Sequence, residues 1–272
     1  MRRGIDVSSW QGRIDWARVA PHIDFAILRC GFGDDVRDQD DVYFERNAAL
    51  CKEQNIPFGV YLYSYATNID DARSEVRHTL RLIRDKKLEY PVFLDVESRR
   101  QMALPKEKLA EIVSYYCEEI EKAGYYVGIY ASADTFMSNL DSRELDRFDR
   151  WVAEWGKRLE LPYNAGMWQN TAYEEMPGII GRVDGDYAIL DYPLIIKEAG
   201  LNHLDENAPK YRVGEKVFVS GDVYTTPAAA EVKENICDKE YEILEVIRDA
   251  NAPYRLEVGF AKESEVYTKK DR

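Results

Sequence analysis

The chain has 272 residues, 45% of them hydrophobic, and a formal net charge of −13, enough for one large domain and a small one. That charge argues against nucleic acid, which selects basic surfaces, and no stretch approaches the roughly 18 apolar residues of a membrane span, so neither is expected as a partner. His22, His78 and His203 are scattered, and Cys30, Cys51, Cys117 and Cys237 show no C-x-x-C spacing, so buried free thiols are expected, with no metal and no cofactor.

The opening, Met1-Arg2-Arg3-Gly4-Ile5-Asp6, lacks the apolar core of a signal peptide, and synthesis in the cytoplasm is the expectation. Apolar, β-rich runs then recur at Gly4 to Ser8, Phe25 to Gly31, Pro57 to Tyr65, Tyr90 to Glu97, Tyr125 to Ser132, Arg150 to Trp155, Gly166 to Asn170 and Arg182 to Tyr187. Helices are expected between the early ones, at Asp70 to Lys87 and at Lys106 to Ala123, with Pro105 near the start of the latter and Gly124 at its end. This is the β-α alternation of a parallel sheet, and eight strands suggest a barrel. About ten residues separate the sixth strand from the seventh and about eleven the seventh from the eighth, while a crossover with its helix needs at least ~10 to 12. The expected fold is therefore α/β, an incomplete TIM-like (β/α)5(β)3 barrel over residues 1–205.

After Leu204 the texture changes to short alternating segments at Lys216 to Ser220, Tyr241 to Val246, Tyr254 to Phe260 and Glu265 to Thr268, with turn signals such as Ser220-Gly221-Asp222. A small all-β barrel is expected over residues 208–272. That tail holds 11 basic against 13 acidic residues, so the acidity belongs to the larger domain.

The fourth strand, Tyr90-Pro-Val-Phe-Leu-Asp-Val-Glu97, ends in two carboxylates two residues apart, which share one face of a strand. A capped strand end with two exposed acids is the bland reading. In a parallel barrel, however, active sites sit at the C-terminal ends of strands, and Asp6 in the first strand, Asp95 and Glu97 in the fourth, and Asp184 with Asp186 in the eighth form an acidic cluster at one end. Trp10, Tyr61, Tyr63, Tyr65, Tyr130, Trp155 and Trp168 stand on or just after strands; rings beside carboxylates suit sugars. Glycoside cleavage needs one carboxylic acid to protonate the leaving oxygen and another carboxylate to support the cation-like transition state.

Gly4-Ile5-Asp6-Val7-Ser8-Ser9-Trp10-Gln11-Gly12, with Ile14-Asp15-Trp16, resembles the signature of the glycoside hydrolase family 25 lysozymes. The resemblance continues through Val92 to Glu97, Val127 to Tyr130, Trp151 to Trp155, Trp168-Gln169 and Gly181 to Asp184. It implies the incomplete barrel and an N-acetylmuramidase acting on the β-1,4 bond between N-acetylmuramic acid and N-acetylglucosamine in bacterial peptidoglycan glycan strands. By position it implies Glu97 as general acid and base with Asp95, Asp6 and Asp184 around it, and retention through the substrate's own N-acetyl oxygen or a carboxylate nucleophile. Tyr61, Tyr63, Tyr130, Trp155, Trp168, Gln169 and Asp186 are the substrate-binding candidates. The tail resembles the SH3-like modules of phage and bacterial lytic enzymes, which would hold an endolysin on the cell wall. The alternatives are a catalytically silent peptidoglycan-binding protein and a hydrolase of another N-acetyl sugar polymer such as chitin.

Overall fold

Nearly every residue of Phe25–Phe32, Phe58–Tyr63 and Val92–Asp95 is buried, which requires a sheet covered on both faces. The computed structural model describes residues 1–156, 159, 164–204, 210–211, 213–247 and 250–269, and the chain divides into two units, Met1–Leu204 and residues 205–272.

In the first unit eight strands close a barrel in chain order: β1 (Arg2–Val7), β2 (Phe25–Phe32), β3 (Phe58–Tyr63), β4 (Val92–Asp95), β5 (Val127–Ser132), β6 (Asp149–Ala153), β7 (Met167–Glu175) and β8 (Arg182–Ala188). Helices follow each of the first five: α1 (Trp16–Val19), α2 (Phe44–Glu53), α3 (Ile69–Ile83), α4 (Arg99–Met102) with α5 (Lys106–Lys122), and α6 (Ala133–Ser138). β1 to β7 pair in parallel, but β8 runs antiparallel to both β7 and β1. The all-parallel expectation is corrected here. β7 extends to Glu175, so only a short turn separates it from β8, and a turn of that length makes a hairpin. A helix not expected from the sequence, α7 (Tyr192–Ala199), follows β8.

Side chains sort by strand parity. Val92, Leu94 and Val96 pack outward with α5 residues Leu109, Val113 and Cys117, while Phe25, Ile27, Tyr61, Phe93, Trp151 and Met167 fill the interior. The rings fit because small residues face them: a Cβ on Gly4 would meet the Phe25 ring at 2.5 Å, and one on Gly128 the Phe93 ring at 2.6 Å. Parity also puts Asp6 and Asp95 inside, since Ile5 and Val7, and Leu94 and Val96, belong to the outer layer.

The second unit contains a sheet of β9 (Lys216–Tyr224), β10 (Val232–Glu242), β11 (Glu245–Val246), β12 (Tyr254–Leu256) and β13 (Gly259–Ala261), ordered β10-β9-β13-β12-β11, with β14 (Val266–Tyr267) also paired to β9. Val217, Val219, Val223, Ile236, Tyr254 and Leu256 form its core. β10 was not expected as a long strand; Ile236 is its single buried residue. Cys237 on this strand is exposed, against the expectation of four buried thiols, whereas Cys30, Cys51 and Cys117 are buried.

Candidate active site

At the C-terminal ends of the parallel strands a cavity of about 240 Å³ is lined by Asp6, Asp95, Glu97 and Asp184, together with Tyr61, Tyr63, Tyr130, Gln169 and Arg29. Three separate strands deliver the acids. Asp6 pairs in register with Asp184, and because β8 runs antiparallel, its early residues, not its last ones, reach the mouth. Asp95 closes β4, and Glu97 lies just beyond the strand.

The acids differ in environment. Asp95 is 3% exposed, and its Oδ1 is buried with no hydrogen-bond partner. Burial, reinforced by the charge of Glu97, raises its pKa well above the usual carboxylate range, with Arg29 opposing. Asp6 accepts a hydrogen bond from Gln169 Nε2 at 2.7 Å; burial and then the charges of Asp186 and Asp184 raise it too. Asp186 lies within hydrogen-bond reach of Asp6, and burial pushes it up to about 8. Two like charges this close do not both ionise, so the pair holds a proton. Asp184 is half-buried and pushed up to about 6 by burial.

Glu97 stands apart. It is the exposed member of the group, yet the cavity walls desolvate its carboxyl enough to raise its pKa, and the charge of Asp184 adds to the rise.

Polar and aromatic groups fix the rest. Tyr130 Oη donates to Gln169 Oε1 at 3.0 Å, and the Tyr130 and Trp151 ring centroids are 4.4 Å apart. Trp155, 60% exposed, reaches Gln169 Oε1 through Nε1 at 3.5 Å and so stands at the rim. Trp10 is 85% exposed, held out by a turn in which Ser8 Oγ accepts from the Trp10 amide and Gln11 Oε1 from the Ser8 amide.

Two expected substrate contacts are not brought to the cavity surface. Trp168 lies on the opposite face of β7 from Gln169, its ring 5.9 Å from that of Tyr187 and its Nε1 donating to the Glu154 carbonyl at 2.7 Å. Asp186 is 1% exposed, and its Oδ1 accepts from Trp151 Nε1 at 2.8 Å. Conversely, sequence reasoning passed over Arg29 and Trp151. Arg29 was visible as a lone cation within the apolar β2; its guanidinium binds Asp41 at 2.8 Å and Ser9 Oγ at 2.7 Å, it lines the cavity, and its charge opposes the rise in the Asp95 pKa.

Comparison with known proteins agrees with this architecture. The model for glycosyl hydrolases family 25 matches residues 5–179. The Escherichia coli (strain K12) protein YegX, itself uncharacterized, is 32% identical over 192 residues, 66% of this chain and 67% of YegX. The modular autolysin LytC from Streptococcus pneumoniae, whose structure was determined in complex with synthetic peptidoglycan ligand, is 30% identical with a TM-score of 0.61; the match covers 68% of this chain but only 46% of LytC. The lysozyme from Streptomyces coelicolor, at 19% identity and a TM-score of 0.62, shares the fold over 75% of this chain and 98% of its own. With its family match spanning more than half its length, the chain belongs to glycosyl hydrolases family 25.

Proposed function

We propose that the protein is an N-acetylmuramidase that hydrolyses the β-1,4 bond between N-acetylmuramic acid and N-acetylglucosamine in peptidoglycan. The carrying observation is the convergence of four carboxyls on one cavity with Glu97 alone exposed at its mouth. A donor must reach the glycosidic oxygen and keep its proton to higher pH than an ordinary carboxyl; Glu97 is exposed at the mouth, and burial of its carboxyl and then the charge of Asp184 raise its pKa. Once its proton leaves, positive charge grows on the sugar, and Asp184 and Asp95 are placed on the same cavity to offset it. The unpartnered Asp95 Oδ1 suits the N–H of an N-acetyl group, which orients the acetyl oxygen toward the anomeric carbon. Retention by substrate assistance is the course this reading assigns to the reaction. Gln169 and Tyr130 hold Asp6 and the wall in place, while Trp10, Trp155, Tyr61 and Tyr63 offer faces to the sugar rings.

The small all-β unit is, in this reading, an SH3-like wall-binding module of a phage or prophage endolysin, which raises the local concentration of scissile bonds. Removal of residues 208–272 then lowers activity on intact walls more than on soluble fragments; equal loss on both would make the tail structural.

The decisive experiment digests purified peptidoglycan, reduces new ends with borohydride and identifies them by mass spectrometry, for wild type and Glu97→Gln together. Reduced muramic acid from wild type, falling by about 10²- to 10⁴-fold in the variant, supports the proposal. Reduced glucosamine ends, or undiminished activity in the variant, would refute the bond or the donor assigned.

A further inference from the structure

A second and larger cavity, of about 640 Å³, adjoins the first, and Tyr63 lines both. Its volume is within the roughly 300–1,000 Å³ of ligand sites, and its lining differs from that of the first. Arg99 and Arg100 on α4 stand at its edge, both exposed and without an ion pair among the described residues. Asp34 and Asp71 line it as well. Glu75 is 1% exposed there and accepts from Ser64 Oγ and the Tyr65 amide at 2.7 Å and from the Ala66 amide at 3.1 Å. Gln39 Oε1 is buried in the same lining with no donor. It packs against Gly33, whose φ of +61° disfavours any side chain and whose built Cβ would lie 3.1 Å from both Gln39 Oε1 and the Tyr65 ring.

A chain with thirteen excess negative charges that leaves two arginines unpaired beside an acid-lined cavity is equipped for a carboxylate ligand. Sugar hydroxyls do not need it. The orphaned Gln39 Oε1 calls for an N–H donor, and the exposed carboxylate of Asp34 for an amine, in the same ligand. Carboxylates, amide N–H groups and an amine, joined to a sugar seated next door, describe a short peptide branching from that sugar.

We propose that the second cavity binds the acidic peptide branch of the glycan, with Arg99 and Arg100 holding its carboxylates and Asp34 available to its amine. This rests on the peptidoglycan reading above and adds to it a preference for peptide-bearing strands. The proposal makes Tyr63 the shared wall between the sugar and its branch; the Tyr63 ring lies 5.0 Å, centroid to centroid, from that of Tyr65, which lines the second cavity alone.

The test uses the full chain carrying Glu97→Gln, so that ligand is not consumed, and calorimetry with two probes: a muramyl disaccharide bearing its tetrapeptide and the same disaccharide without peptide. The peptide-bearing probe is expected to bind about tenfold or more tightly, the scale of one or two charge-assisted hydrogen bonds. Arg99→Ala with Arg100→Ala is expected to abolish the difference without changing affinity for the bare disaccharide, and the Lys-Lys pair to restore part of it. Equal affinity for the two probes, or a difference that survives the double alanine variant, would overturn the proposal. Release of reducing ends from peptide-free strands by wild-type protein is read separately. Its absence alongside an intact peptide preference would overturn only the hydrolase reading; its presence with no preference would overturn only this one.

Discussion

The two ends of the barrel interior both bury carboxyl groups, and they treat them in opposite ways. At the N-terminal end of the strands, Asp149 accepts from Tyr192 Oη at 2.6 Å, from the Arg150 amide at 2.7 Å, from the Gly166 amide at 3.1 Å and from Tyr126 Oη at 3.5 Å. Burial raises its pKa, and every one of those bonds works against the rise. At the C-terminal end Asp95 Oδ1 and Asp186 Oδ2 have no donor, and the neighbours of these acids are mostly other acids. A buried acid whose bonds are complete holds a fold together. A buried cluster left incomplete costs stability, and the cost is understandable only where a substrate completes it.

The most severe way to break this comparison is to remove one acid from each end. Asp149→Ala strands two tyrosine hydroxyls and two amides, and a loss of about 3 kcal/mol is expected, a drop of roughly 6–12 °C in the unfolding midpoint of a unit this size. Asp95→Asn removes a repulsion instead. Its midpoint is expected to equal or exceed that of wild type while turnover falls by roughly 10²-fold or more. Calorimetric scans and reducing-end assays on the two variants decide the matter; an Asp95→Asn protein that unfolds as early as Asp149→Ala would erase the distinction between the ends.

The same contrast governs what the sequence revealed. The barrel strands were legible because each combined an apolar run with turn signals, and the acids were legible because they interrupt such runs: Asp6 after Ile5, Asp95 after Leu94. Inward or outward facing was not. Trp168 and Gln169 are adjacent, and only the pairing of Gln169 with Asp186 across the hairpin and the bond to Asp6 show which one faces the acids. The direction of β8 was hidden for a related reason, since beyond Gln169 β7 continues through half-buried and exposed residues that carry no hydrophobic period. β10 was illegible because one buried side chain, Ile236, anchors eleven residues and backbone pairing to β9 does the rest. α7 had a readable signature, Pro193 in its first turn and Gly200 with φ +62° at its end, which was passed over.

A smaller effect sharpens the comparison through pH. Asp186 is pushed up to about 8 in the folded chain, against an unfolded value near 3.9. Between those values the folded state binds more protons than the unfolded one, so this group's contribution to stability declines as pH rises from about 4 to 8. Asp184, up to about 6, and Glu75, up to about 7, act in the same direction. Asp186→Asn imitates the protonated acid, and its carbonyl still accepts from Trp151. The wild-type unfolding midpoint is expected to fall between pH 5 and pH 8, and the variant's to fall less; identical slopes would show that Asp186 is ionised throughout.

The smallest expected change isolates the donor from the cluster around it. The charge of Asp184 is one of the two causes that raise the Glu97 pKa, the other being burial. Asp184→Asn takes away the charge and leaves the shape, so Glu97 gives up its proton at lower pH. If Glu97 is the proton donor, as proposed, the alkaline limb of the kcat/KM profile is expected to move toward acid, while the acid limb, where Asp184 is already neutral in wild type, stays closer to its place. At low pH the variant therefore keeps more of the wild-type rate than it does at neutral pH. An alkaline limb that holds its position in Asp184→Asn would mean that the ionisation limiting turnover belongs to another member of the cluster, and the buried Asp6–Asp186 pair is the one whose raised pKa values could supply it.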